Sequence, residues 1–198
     1  MSGNLFITAI ASIFINNVVL TQFMGVSPFF GASKKMSQVK NMGIIVILVM
    51  TLASIIAYPV NYYFLVPMDL KFLCILFFLI IITVIVQVIE LLLKNKMPLL
   101  YQSVGIYLPY IAANCAVLGI VLQNSESNYS FIEAVVHAFF SGLGFFLVLF
   151  IMAAIREKLD MAEVPKAFKG IPIAFISAGL MAMAFLAVDK SILIKLFS

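Results

Sequence analysis

The residues that could do chemistry are few. Cys115 stands beside Asn114 and four residues before Gly119. A thiolate at such a place could bind a soft metal or an iron–sulfur cluster. A single cysteine cannot hold a cluster, which takes about four ligands, so the alternative is a packed thiol. The second cysteine, Cys74, sits in the apolar run Phe72-Leu73-Cys74-Ile75-Leu76 and reads as a small packing residue. A Cys74–Cys115 disulfide is allowed by count, with no local support. The one histidine, His137, follows Glu133 by four residues. That spacing puts both on one helical face, as a proton-relaying pair or an interfacial polar patch. Glu90 and Lys94 have the same spacing and read as a pair snorkelling to a membrane surface. Asn16, Asn17, Gln22, Gln87 and Asn114 are uncharged and could hydrogen-bond between helices or line an ion path. There is no phosphate-binding loop, metalloprotease motif, nucleotide fingerprint or catalytic triad.

The elements that position these residues follow from composition. Of 198 residues, 65% are apolar and 10% charged, and mean hydropathy is +1.21. Soluble domains run to about 45–50% apolar and about 25% charged. A soluble enzyme, a disordered chain and a secreted disulfide scaffold are therefore excluded. An integral membrane protein remains. Stretches free of Asp, Glu, Lys and Arg cover 1–33, 41–68, 72–89, 97–125, 134–155 and 170–188. Each meets the roughly 17–25 residues a spanning helix needs, and none alternates like a barrel strand. The expectation is an all-α membrane protein with six transmembrane helices in one domain, 1–198. Met1–Asn4 carry no Lys or Arg and no cleavage site follows, so the first helix is expected to be retained as the targeting signal.

Charge sets orientation. The connections after spans 1, 3 and 5 hold nine of the basic residues: Lys34, Lys35 and Lys40, then Lys94 and Lys96, then Arg156, Lys158, Lys166 and Lys169. The other side holds Lys71, Lys190 and Lys195. The positive-inside rule puts the first group in the cytoplasm and both termini outside the cytoplasmic membrane. The net charge of +4 reflects this loop bias and implies no nucleic-acid partner.

Spans 1 and 4 are overlong and interrupted. The first contains Gly25-Val26-Ser27-Pro28-Phe29-Phe30-Gly31 and the fourth Pro109 through Asn114-Cys115 to Gly119. Proline and glycine there predict a break near Gly25–Gly31 and another in span 4. A shift of 88 residues lays Ser27 on Cys115, Gly31 on Gly119 and Leu20 on Leu108. Each half, about 1–95 and 96–198, would hold three spans and so be inverted relative to the other. Broken spans at matching positions of inverted halves point to a site near the midplane. Read singly, each interruption is the ordinary abundance of Gly and Pro in membrane helices.

These residues also carry a resemblance. Asn16-Asn17-Val18-Val19-Leu20, Gln22-Phe23-Met24-Gly25-Val26-Ser27-Pro28-Phe29-Phe30-Gly31 and Ser33-Lys34-Lys35 resemble the opening of the A-type membrane subunits of Rnf complexes. So do Leu108-Pro109, Asn114 through Gly119, Ala154-Ile155-Arg156-Glu157-Lys158-Leu159, and Val164-Pro165 with Gly170. The E subunit of sodium-pumping NADH:quinone reductase shares the Asn-Cys and Ala-Ile-Arg-Glu-Lys patterns. The resemblance covers nearly the whole chain.

It implies a complex that moves electrons between ferredoxin and NAD and couples this to translocation of Na⁺ or H⁺. It implies a homologous E subunit of opposite orientation and further subunits B, C, D and G as partners. It implies an intramembrane [2Fe–2S] cluster to which each of the two homologous subunits supplies two cysteines. No flavin or nucleotide site is expected in this chain, and no activity from it alone. Cys115 matches one ligand position. Ser27 occupies the other, where the family has cysteine, and an alkoxide is a harder, less acidic donor than a thiolate. The cluster could persist on three cysteines and one oxygen, or be altered or absent, or the serine could be an engineered replacement. A secondary transporter with inverted repeats and no redox cofactor, and a structural subunit, are the competing readings.

Overall fold

The computed structural model describes residues 8–10, 12–13, 16–26, 30–31, 36–67, 71–96, 98, 101–102, 105–127, 129–162, 164–165 and 168–186. Those residues form helices and turns, with no strand among them. In chain order the main helices are α1 (Met36–Val60), α2 (Cys74–Lys96), α3 (Leu108–Ala112), α4 (Cys115–Glu126), α5 (Phe131–Asp160) and α6 (Ile171–Leu186). Pro59 removes an N–H near the end of α1, and the chain continues as a wider, π-type turn over Asn61–Leu65.

Four segments are long and apolar enough to cross a bilayer: Val39–Leu65, Cys74–Lys96, Leu108–Glu126 and Phe131–Asp160. These are expected spans 2 to 5. At about 1.5 Å per residue, the 23 residues of α2 reach roughly 35 Å, more than a hydrocarbon core of about 30 Å. The sixth expected span is the shorter apolar helix Ile171–Phe185. The first is described only in parts. Span 4 begins later than its charge-free run: its helix starts at Leu108, after a tight turn over Gly105–Tyr107.

Helices α1 and α5 form the core of the bundle and run antiparallel. Ile47 meets Gly142, Gly43 meets Phe146, and Ser54 meets Ala134. A Cβ at Gly142 would lie 3.0 Å from the Ile47 Cα. Only a residue without a side chain lets the backbones approach so closely, the device by which membrane helices gain packing when hydrophobic burial offers little. Ala53, Ala57, Ala134 and Ala138 are buried with them. Helix α2 lies at the edge. Phe78, Ile82, Ile85, Val86 and Ile89 make its buried stripe, while Leu76, Ile80, Val84, Val88 and Leu91 point outward, as lipid-facing residues do. Cys74, at its start, is half-buried and packs against the core.

The basic residues collect at one end: Lys40 in the first turns of α1, Lys94 and Lys96 in the last turn of α2, Arg156 and Lys158 in the last turns of α5.

Candidate functional site

Span 4 breaks where its sequence changes from Pro109-Tyr110-Ile111 to Asn114-Cys115. Helix α3 closes with the Ala113 N–H donating to the Pro109 carbonyl. Asn114 then turns extended, at φ −76° and ψ 113°, and caps α4 by accepting the Ala116 N–H on its side chain at 3.0 Å. Asparagine is among the preferred caps because its oxygen reaches the N–H two residues on. Cys115 is thereby the first residue of a 12-residue helix, where backbone N–H groups have no partner within the helix.

The first interrupted segment is a chain of turns over residues 16–25. Asn17, fully buried, organises it. Its Oδ1 accepts the N–H groups of Val19 at 3.1 Å and Leu20 at 3.4 Å. Its Nδ2 donates to the carbonyls of Ile13 at 2.9 Å and Gly144 at 3.1 Å. The break therefore begins before the expected Gly25–Gly31, because a polar side chain here takes over the backbone partners that a helix would use. Phe23 and Gly25 follow with φ of +54° and +79°.

The two broken segments meet. The Gly25 N–H donates to Cys115 Sγ at 3.0 Å. A Cβ on Gly25 would come within 2.9 Å of the Phe145 ring and 3.0 Å of Ala116 Cβ. One on Gly119 would strike the Met24 side chain. Glycine serves here through both its positive φ and its missing side chain. The repeat offset put Ser27 opposite Cys115. The structure brings Gly25, two residues earlier, onto the sulfur, and Ser27 lies outside the described residues.

The thiol of Cys115 is exposed on the surface of this chain. It has an amide donor on one side and the positive end of a helix dipole beneath it, both of which favour a negatively charged sulfur. Asn114 adds a buried Nδ2 with no hydrogen-bond partner, a donor with an acceptor still to be met. This environment fits a thiolate ligand of an iron–sulfur cluster. It provides one of about four donors. The hydroxyl of Ser27 would be a hard oxygen donor in place of a second thiolate.

His137 and Glu133 do not pair. Glu133 turns back to the start of α5, where it and Ser130 form a reciprocal cap: Ser130 N–H donates to Glu133 Oε2 at 3.0 Å and the Glu133 N–H donates to Ser130 Oγ at 3.4 Å. The Ser-x-x-Glu spacing at 130–133 is a sequence signal for this cap. His137 is buried instead of lying in an interfacial patch. Its Nδ1 hydrogen-bonds Asn124 Oδ1 at 2.7 Å. Asn124 Nδ2 donates to Ser54 Oγ at 2.9 Å and to the Ala134 carbonyl at 3.0 Å. Neither Ser54 nor Asn124 stands out in sequence. Glu90 accepts the Tyr101 hydroxyl at 3.2 Å. At the basic end, Arg156 Nη1 donates to the Phe30 carbonyl at 2.8 Å, and the Phe30 ring stacks on Phe175 of α6 at 4.3 Å. The Ala-Ile-Arg-Glu-Lys pattern thus ties the end of α5 to the first interrupted segment.

The profile described as Rnf-Nqr subunit, membrane protein, matches residues 5–192. The chain belongs to the Rnf-Nqr family. This Rnf-Nqr chain is 47% identical over 177 residues to the A subunit of the Na⁺-translocating ferredoxin:NAD⁺ oxidoreductase complex of Acetobacterium woodii, a match spanning 89% of this chain and 92% of that protein. It is 45% identical to the A subunit of the ion-translocating oxidoreductase complex of Pseudoalteromonas translucida and 44% to that of Edwardsiella ictaluri, with the same coverage. Membership agrees with the A-type pattern read from Asn114-Cys115 and Arg156-Glu157-Lys158, and with a multi-pass membrane protein.

Proposed function

We propose that this chain is an A-type membrane subunit of an ion-translocating ferredoxin:NAD⁺ oxidoreductase complex. It has six spans in two inverted halves and both termini outside the cytoplasmic membrane. With a homologous subunit of opposite orientation it holds a [2Fe–2S] cluster in the membrane interior, and Na⁺ or H⁺ translocation accompanies electron transfer. The observation that supports this most is the meeting of two broken segments at one sulfur, Gly25 N–H on Cys115 Sγ at 3.0 Å.

A cluster held there supplies one-electron transfer. The chain's own residues do the rest. Cys115 offers the thiolate, and Gly25 and the start of α4 stabilise negative charge on it. Asn114 fixes the cysteine at the helix start, and Asn17 locks the first segment against α5 so that Gly25 stays in reach. Ser27 is the chain's second donor, an oxygen. Irregular backbone is tolerated at membrane depth where protein buries it, and Asn17 and Asn114 satisfy the backbone groups these breaks set free.

Iron content and the EPR spectrum of the purified complex test the reading, with Ser27→Cys for comparison. A cluster signal that Ser27→Cys sharpens or strengthens supports it. A colourless, iron-free preparation in both forms overturns it and favours a secondary transporter.

A further inference from the structure

At the end of the bundle opposite the basic residues there is a cavity of about 230 Å³. It lies between the last turns of α1, the start of α2 and the last turns of α4. Residues with uncharged oxygen-bearing side chains dominate its lining, among them Ser54, Tyr58, Asn61, Tyr62, Asn124 and Tyr129. No charged residue lines it among the described residues. At roughly 30 Å³ per water, it holds about seven.

We propose that this cavity binds a partly hydrated monovalent cation. Two helices end on it: α4, through Asn124 and Ser125, and the π-type turn that extends α1, through Asn61 and Tyr62. Helix C-terminal ends carry partial negative charge and unpaired carbonyls, so both dipoles favour a cation there and disfavour an anion. Glu126, exposed at the end of α4, adds a full negative charge near the site. Neutral oxygen donors without a lining carboxylate suit a singly charged ion. Divalent sites recruit carboxylates or keep a tightly held water shell.

The cavity floor is preset. Asn124 is held by Ser54, the Ala134 carbonyl and His137, and the Tyr129 ring lies 5.5 Å from that of His137. With its Nδ2 donating to Ser54 and Ala134, Asn124 presents Oδ1 as an acceptor, so His137 carries its proton on Nδ1. The oxygen side of this network is fixed before an ion arrives.

The site is joined to Cys115 by one element. Helix α4 runs from the sulfur at its first residue to the cavity at its last turn, about 16 Å at 1.5 Å per residue. Its dipole favours negative charge at the first end and positive charge at the second. The cation role rests on the ion-translocating reading above, but binding itself does not.

The test uses the full complex in oriented membrane vesicles. Ser125→Cys is exposed to a membrane-impermeant thiol reagent, and modification of that peptide is followed by mass spectrometry in Na⁺, Li⁺, K⁺ and choline at equal ionic strength. The expected result is modification from the outer face only, slowed several-fold by at least one alkali cation relative to choline. Adding Asn61→Leu should remove the protection. No modification from outside, or equal rates in all four cations, overturns the proposal. Protection that survives Asn61→Leu overturns the assignment of the lining. Iron content measured on the same samples reports the redox reading separately, so the two can fail independently.

Discussion

The amide of Gly25 and the sulfur of Cys115, 90 positions apart, lie 3.0 Å from one another where two interrupted membrane segments cross. The contact depends on backbone conformation on both sides: φ of +79° at Gly25 and a capped helix start at Cys115.

Gly25→Ala should be damaging. The new methyl meets an aromatic ring, a packed Cβ and the capping oxygen of Asn114, and alanine is strained at that φ. A loss of about 2–3 kcal/mol is expected from strain and overpacking together. Gly119→Ala presses only on the flexible Met24 side chain and should cost less than half as much. Thermal unfolding of the complex in detergent should rank the two in that order.

Asn17→Leu should destabilise far more than Asn16→Leu. Asn17 satisfies two N–H groups and two carbonyls. Leucine would strand those groups, at about 1–3 kcal/mol for a buried polar group left unpaired. Asn16 is half-buried and makes no hydrogen bond among the described residues. The comparison is read from the fraction of complex surviving a heat step.

Much of this was legible in sequence. Scarce charges marked the ends of α1, α2 and α5, because a charged side chain inside hydrocarbon is costly. Asn114-Cys115 was legible as a site because its neighbours interrupt an apolar run. The start of the first break was not, since Asn17 makes it through four side-chain bonds, one of them to Gly144 on α5, and no Gly or Pro announces that. The fate of His137 was also hidden. Its i−4 neighbour Glu133 is taken by the Ser130 cap, and its partner Asn124 comes from another helix.

Asn124→Leu should be worse than His137→Phe. The first leaves Ser54, the Ala134 carbonyl and the His137 ring without their shared partner. The second removes one donor from Asn124 while its bonds to Ser54 and Ala134 persist. The difference should be about 1–3 kcal/mol, seen as a lower unfolding midpoint for Asn124→Leu.

Cys115→Ala bears on the central claim most directly. Iron per complex and the EPR difference spectrum, wild type minus Cys115→Ala after reduction, should be measured on assembled complex. The expected result is a loss of about two iron atoms per complex, the content of one [2Fe–2S] cluster, with a reduced-cluster signal in the difference. Equal iron and a flat difference spectrum would contradict it.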